Sequence, residues 1–188
     1  VVIPPFLFMI IVCSLHDLES ICSSVKPSHI ISVIDPGYEP KTPQDVQNHL
    51  ILNFDDIVTI SEDNTIYRLP GNTNNQILPN LDHINKIVNF IETWDQTKPI
   101  VIHCWCGVSR SMATATFLLC KINKKDIEKN VRFIRSVAPH ANPNKLMLSM
   151  FEKYLNINNE LTQAYEKYPH SITYDCTVTF APVTIFDI

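Results

Sequence analysis

The stretch from Val101 to Ser111, reading VIHCWCGVSRS, constrains this chain more than any other. It joins an apolar β-branched run, Pro99 to His103, to Ser109 to Ile122, which is nearly free of helix breakers and apolar on most faces. A proline-bounded β-branched run predicts a strand, and the second stretch predicts a buried helix. If the chain turns tightly after Cys104, the backbone N–H groups from Trp105 to Arg110 converge on one point at the helix N-terminus. Such a nest holds an anion. Arg110 would close the ring with a planar guanidinium able to grip two oxygens. The same positive field stabilises a negatively charged sulfur at Cys104. A nucleophile and a phosphate site thus share one electrostatic solution.

His103 before the cysteine and Ser111 after the arginine complete the pattern His-Cys-x5-Arg-Ser. On these residues the segment resembles the signature of the cysteine-dependent protein tyrosine and dual-specificity phosphatases. From Phe8 to about Tyr154, the order of elements and the phrases Phe-Asp-Asp-Ile (54–57) and Pro-His-Ala-Asn-Pro-Asn (139–144) are similar to a compact bacterial branch of that superfamily. One departure is Cys106, where such enzymes usually carry a small residue. The resemblance implies metal-independent hydrolysis of phosphate monoesters, phosphotyrosine in proteins above all, with no cofactor.

In that chemistry Cys104 attacks phosphorus and forms a cysteinyl-phosphate that water later hydrolyses. Arg110 binds phosphate oxygens and stabilises the transition state. Trp105, Cys106, Gly107, Val108 and Ser109 supply the rest of the cradle. Ser111 donates to the sulfur, and His103 orders the loop as a structural support. A carboxylic acid must protonate the leaving oxygen. Carboxylates that end other strands of an α/β sheet reach the same edge as Cys104, which admits Asp35, Asp55 and Asp56. The acid of dual-specificity phosphatases follows a pattern like Leu-x-apolar-x-Asp, which Leu52 to Asp56 matches, so Asp56 is the choice. The long gap from Asp56 to Cys104 leaves Asp55, Asp63 and Asp35 open.

The loop carries no lysine, and its first basic residue is Arg110. Inositol-lipid phosphatases that resemble this family add basic charge there, so a phosphotyrosine-like monoester is favoured. Rival readings are a non-catalytic phospho-binding module on the same scaffold and a rhodanese-like sulfurtransferase. A metal site on His103, Cys104 and Cys106 lacks a further ligand pair at recognisable spacing.

With 188 residues and 45% apolar content, the chain fits one domain, 1–188, with a core at about 6–155 and a tail, 156–188, packed on it. A net charge of -4 offers no field for nucleic acid or an anionic membrane. Six scattered cysteines suggest a reducing, cytoplasmic setting. Cys13, Cys22, Cys120 and Cys176 read as core or inert thiols, and Cys106 as a neighbour that oxidation could join to Cys104. The uncharged start, VVIPPFLFMIIVC, lacks a basic leader, is broken by Pro4-Pro5 and falls short of the roughly 20 residues of a spanning helix. It reads as a first strand, Phe6 to Cys13.

Further strands are expected at His29 to Ile34 and His49 to Phe54. Helical spacing recurs over Leu81 to Trp94 and Ile127 to Ile134, and Asn142-Pro143 reads as the cap and first position of another helix. Helices dominate through about Lys167, and Ser171 to Ile188 is β-prone. Alternating strands and helices imply an α/β fold with a mainly parallel, covered sheet. Asp35 to Pro43 and Thr59 to Pro79 read as loops over the site.

Overall fold

A computed structural model describes residues 9–61, 75–123 and 126–188. Five strands form one sheet: β1 (Met9–Ser14), β2 (His29–Ile34), β3 (Asn48–Asn53), β4 (Ile100–Cys104) and β5 (Thr184–Asp187). Their spatial order is β3-β2-β4-β1-β5. The first four are parallel, and β5 runs antiparallel along β1. The sheet is therefore mixed, as the β-prone tail foreshadows. The expected start of β1 at Phe6 lies outside the described residues.

Strands β1, β2 and β4 are buried and mostly apolar because both faces are covered, whereas β3 and β5 at the sheet's edges are partly exposed. Helix α1 (Leu18–Val25) lies on one face, where Leu18 and Cys22 meet Ile11, Cys13, Ile30 and Val101. The alternate residues Ile10, Val12, Ile31, Val33, Ile100 and Ile102 point into the larger core on the other face. That core is built with α2 (Leu81–Glu92), α3 (Arg110–Asn123), α4 (Ile127–Val137), α5 (Lys145–Leu155) and α6 (Glu160–Lys167). Among the described residues no helix is long and apolar enough to cross a membrane.

Helix α3 runs through the middle of this layer, with every residue from Arg110 to Cys120 buried. Two threonines survive there because their hydroxyls donate to carbonyls one turn back, Thr114 to Arg110 (3.1 Å) and Thr116 to Met112 (2.7 Å). Phe117 stacks on Phe151 with centroids 4.5 Å apart, joining α3 to α5. The cap of α5 is Asn144, whose side chain accepts from Met147 N–H, and not Asn142 as the sequence suggests. The backbone N–H of Asn142 is committed instead to the Val108 carbonyl, so the helix begins two residues later.

Candidate active site

Cys104 ends β4, the strand between β2 and β1, and Arg110 opens α3. The turn between them is held from three sides. Leu15 N–H donates to the Trp105 carbonyl (3.1 Å), Ala181 N–H to Cys106 (3.2 Å) and Asn142 N–H to Val108 (3.0 Å). In a planar trans peptide the next N–H points opposite to the carbonyl, so the amides of Cys106, Gly107 and Ser109 turn away from these segments, toward the loop's centre. The Gly107 N–H accordingly lies 3.3 Å from Cys104 Sγ. Gly107 has φ +81, and a Cβ there would meet the Cys13 carbonyl carbon at 3.2 Å. Both the turn and the close approach to β1 require glycine.

Cys104 is a free, buried thiol, with Ser111 Oγ 3.0 Å from its sulfur. Arg110 is also buried. Its Nη1 donates to the Phe54 carbonyl and its Nη2 to Asp35 Oδ2, both at 2.6 Å. Burial alone would weaken its protonation, but Asp56, Asp35 and Cys104 hold it above the ordinary arginine value. Among the described residues its Nε has no hydrogen-bond partner, and it lies 3.9 Å from Asp56 Oδ2. A buried donor without a partner costs roughly 1–3 kcal/mol, so this nitrogen is left poised for an acceptor.

Asp56 is fixed through one oxygen. Its Oδ1 accepts from Ser109 Oγ (2.7 Å) and from Asn144 Nδ2 (2.9 Å), while its Oδ2 faces Arg110 Nε. The other carboxylates are placed differently. Asp35 is an ion-pair partner of Arg110. Asp55 is buried and accepts from Ile77 N–H at 2.6 Å, a tie between chain segments. Asp63 lies outside the described residues.

His103 heads a chain of hydrogen bonds. Its Nδ1 lies 3.3 Å from the Cys104 carbonyl and its Nε2 2.5 Å from Ser32 Oγ. Ser32 Oγ is also 2.7 Å from His49 Nε2, and His49 Nδ1 is 2.9 Å from Thr42 Oγ1. A carbonyl only accepts, so His103 Nδ1 carries hydrogen and its Nε2 accepts from Ser32. Ser32 must then accept from His49 Nε2–H, and Thr42 donates to His49 Nδ1. One consistent direction runs from Thr42 to the cysteine carbonyl, with both rings neutral. Burial pushes both histidines down to about 4, which keeps them so.

These groups face a cavity of about 460 Å³ lined by Asp35, Tyr38, Asp56, Cys104, Arg110 and Cys176, with Trp105, Cys106, Val108 and Ser109 of the loop. Trp105 packs edge-on to Tyr38 at the entrance, with centroids 4.9 Å apart. Tyr38, Asn144 and Cys176 go unmarked in the sequence as site residues. Tyr38 sits in the Asp35 to Pro43 loop, and Asn144 ends the Pro-His-Ala-Asn-Pro-Asn phrase.

Cys176 is a correction, because it is no inert thiol. It forms a disulfide with Cys106 across 70 residues, with Cα atoms 5.7 Å apart. Cys106 is therefore paired with the tail and not with Cys104. Composition does not reveal this bond, because nothing in the spacing brings residue 176 to the loop.

Comparisons with known proteins place the chain in one family. The model of the dual specificity phosphatase catalytic domain matches residues 36–156. The Plasmodium falciparum dual specificity protein phosphatase YVH1 is 37% identical over 82 residues, 43% of this chain and 14% of that protein. Mouse dual specificity protein phosphatase 12 is 32% identical over 66 residues, 35% of this chain and 20% of that protein. The chain thus matches a fifth or less of these curated relatives. Among solved structures, human DUSP28 superposes with a TM-score of 0.57 at 17% identity, covering 78% of this chain and 91% of that one. The Yvh1 phosphatase domain from Chaetomium thermophilum gives 0.52 at 22%, covering 78% and 90%. The bacterial branch has no counterpart among these relatives. With the matched residues taking in β3, β4, the Cys104 loop and helices α2 to α5, this chain belongs to the dual specificity phosphatase family.

Proposed function

We propose that this chain hydrolyses phosphate monoesters on proteins, phosphotyrosine above all, through a phosphocysteine intermediate. The observation that carries the reading is the convergence of Cys104, Arg110 and Asp56 on one cavity, with the Gly107 N–H aimed at Cys104 Sγ and the Arg110 Nε, unpartnered among the described residues, beside Asp56 Oδ2. In the first step Cys104 Sγ bonds to phosphorus as the bond to the ester oxygen breaks, and that oxygen takes a proton from Asp56 Oδ2. The inward amides and Arg110 hold the three equatorial oxygens where charge accumulates. In the second step Asp56 removes a proton from water, the water oxygen bonds to phosphorus, and the sulfur leaves with Ser111 Oγ donating to it. Ser109 and Asn144 keep Asp56 over the loop.

A phosphorylated protein is the favoured partner. The loop adds no second cation for a polyphosphorylated headgroup, and Tyr38 and Trp105 flank the cavity as an aryl group would require. A cytoplasmic setting belongs to the same reading for the four free cysteines, whereas the Cys106–Cys176 disulfide requires an oxidising step there.

The test is hydrolysis of p-nitrophenyl phosphate in EDTA and reductant across pH. Wild type turns over, Cys104→Ser does not, and Asp56→Asn loses about 10²–10⁴-fold together with the basic limb of the profile. No turnover by freshly reduced wild type would move the assignment to a phospho-binding module.

A further inference from the structure

The segment from Ser171 to Val183 lies beyond the matched residues 36–156, yet it reaches the reactive loop. It is exposed along most of its length and has few anchors. Ser171 N–H donates to the Pro139 carbonyl (3.0 Å), and the Tyr174 ring meets His140. Thr177 and its neighbours turn about Asp175, whose Oδ1 accepts from the Thr177 N–H and hydroxyl. Phe180 packs against His16 and Trp105. β5 then enters the sheet. Between the Ser171 anchor and this strand, Cys106 is gripped twice, by the disulfide to Cys176 and by the Ala181 N–H on its carbonyl.

The second grip has a consequence for the anion site. The Cys106 carbonyl and the Gly107 N–H belong to one peptide plane. Ala181 pulls that carbonyl outward, and the Gly107 N–H points at Cys104 Sγ from 3.3 Å. The disulfide holds the segment carrying Ala181 against the same residue, and Cys176 itself lines the cavity.

We propose that the C-terminal segment around Cys176 is a thiol-controlled clamp on the phosphate loop and a specificity-determining wall of the substrate cavity. Closed, the disulfide fixes the 106–107 peptide for anion binding and narrows access for substrates larger than an aryl phosphate. A dithiol opens it by giving two electrons and two protons: the S–S bond becomes two thiols and the dithiol becomes a cyclic disulfide. The freed segment, held at Ser171 and β5, can then move from the rim. Cys176 and Ala181 act here as positioning residues. The wall deepens the phosphatase reading and rests on it for its substrate effect, whereas oxyanion binding tests the clamp without turnover.

Three forms decide it: oxidised wild type, wild type reduced with dithiothreitol, and Cys176→Ser. Peptide mapping without reductant is expected to find Cys106 joined to Cys176 and Cys104 free. Calorimetric titration with tungstate should show oxidised wild type binding about threefold tighter or more than the other two forms, which should agree with each other. The ratio of kcat/KM for p-nitrophenyl phosphate to that for a phosphotyrosyl peptide should be about threefold or more higher in the oxidised form. Equal tungstate affinity in all three forms, or mapping that finds no such pair, overturns the clamp. A constant substrate ratio overturns the wall. If Cys176→Ser melts early, reduced wild type, with its sequence intact, decides between these outcomes. Absence of turnover in every form, with tungstate affinity still following the disulfide, would sink the phosphatase reading and leave the clamp standing.

Discussion

On one side of the phosphate loop, Arg110 is 2% exposed between the Phe54 carbonyl and the Asp35 carboxylate. On the other, the segment around Cys176 touches the loop through a disulfide, a backbone hydrogen bond and the Phe180–Trp105 ring contact, and most of its residues face solvent. The first wall is a buried polar network, in which each lost partner leaves a desolvated group behind. The second is held chiefly by the Cys106–Cys176 bond, and once that bond is reduced water can receive whatever the segment exposes. Reaction chemistry belongs on the rigid wall, and selection or control can be delegated to the movable one.

The sharpest test of that division is Arg110→Lys. An ammonium cannot span the Phe54 carbonyl, Asp35 and a phosphate as a guanidinium does. The expected loss in kcat is about 10²–10³-fold, far beyond any change produced at Cys176. Steady-state kinetics on p-nitrophenyl phosphate measures it, and a loss below tenfold would place the transition-state charge elsewhere than against Arg110.

Acid should break the rigid wall next. The fold holds His103 down to about 4 against an ordinary value of 6.5, through burial. The unfolded chain therefore binds a proton at pH 5 that the folded chain refuses. Stability is complete above about pH 6.5 and is lost as pH falls toward 4, by roughly 3 kcal/mol from His103 alone. His49, also lowered by burial, acts in the same direction. Urea unfolding at pH 7 and pH 4.5 checks this. An unchanged midpoint would mean that His103 is protonated in the native state and that the hydrogen-bond direction inferred from Thr42 to Cys104 is wrong.

Asp35→Asn asks what the ion pair contributes. The substitution keeps an acceptor but removes the charge opposite a buried guanidinium, and Asp56 at 3.9 Å compensates only in part. A loss of about 1–3 kcal/mol is expected. A bound oxyanion supplies the missing charge, so tungstate should raise the melting temperature of Asp35→Asn more than that of wild type. Equal shifts would show that Asp35 and the anion do not share Arg110.

The two walls also differ in how far the sequence exposes them. Strand β4, the turn at Gly107 and helix α3 are local: β-branched residues, one glycine and a breaker-free apolar run specify them within a single stretch. Cys104, Arg110 and Ser111 are legible for the same reason. Asp56 is legible by its place after β3, and the structure brings it to the loop's cavity. What stays hidden depends on long-range closure. Asp35 reads as a possible acid, and its ion pair with Arg110 stays unread, because only the folded chain brings the end of β2 to within 2.6 Å of that guanidinium. Ser32 sits unremarked in an apolar strand, yet joins His103 to His49. Cys176 reads as inert because a disulfide spanning 70 residues leaves no local signal.

The chain of hydroxyls and imidazoles offers the finest comparison, because it runs from a buried to an exposed end. Ser32→Ala removes the central hydroxyl and strands His103 Nε2 where no water reaches, at an expected cost of about 1–3 kcal/mol. Thr42→Val deletes a partner of nearly the same shape at the exposed end. There water can donate to His49 Nδ1 in its place, so a cost of at most about 0.5 kcal/mol is expected, with kcat unchanged. Parallel urea titrations compare the two. Should Thr42→Val cost as much as Ser32→Ala, the four groups would act as one cooperative unit whose direction is set from the surface. The rigid network would then reach out to residue 42 and not stop at the edge of the core.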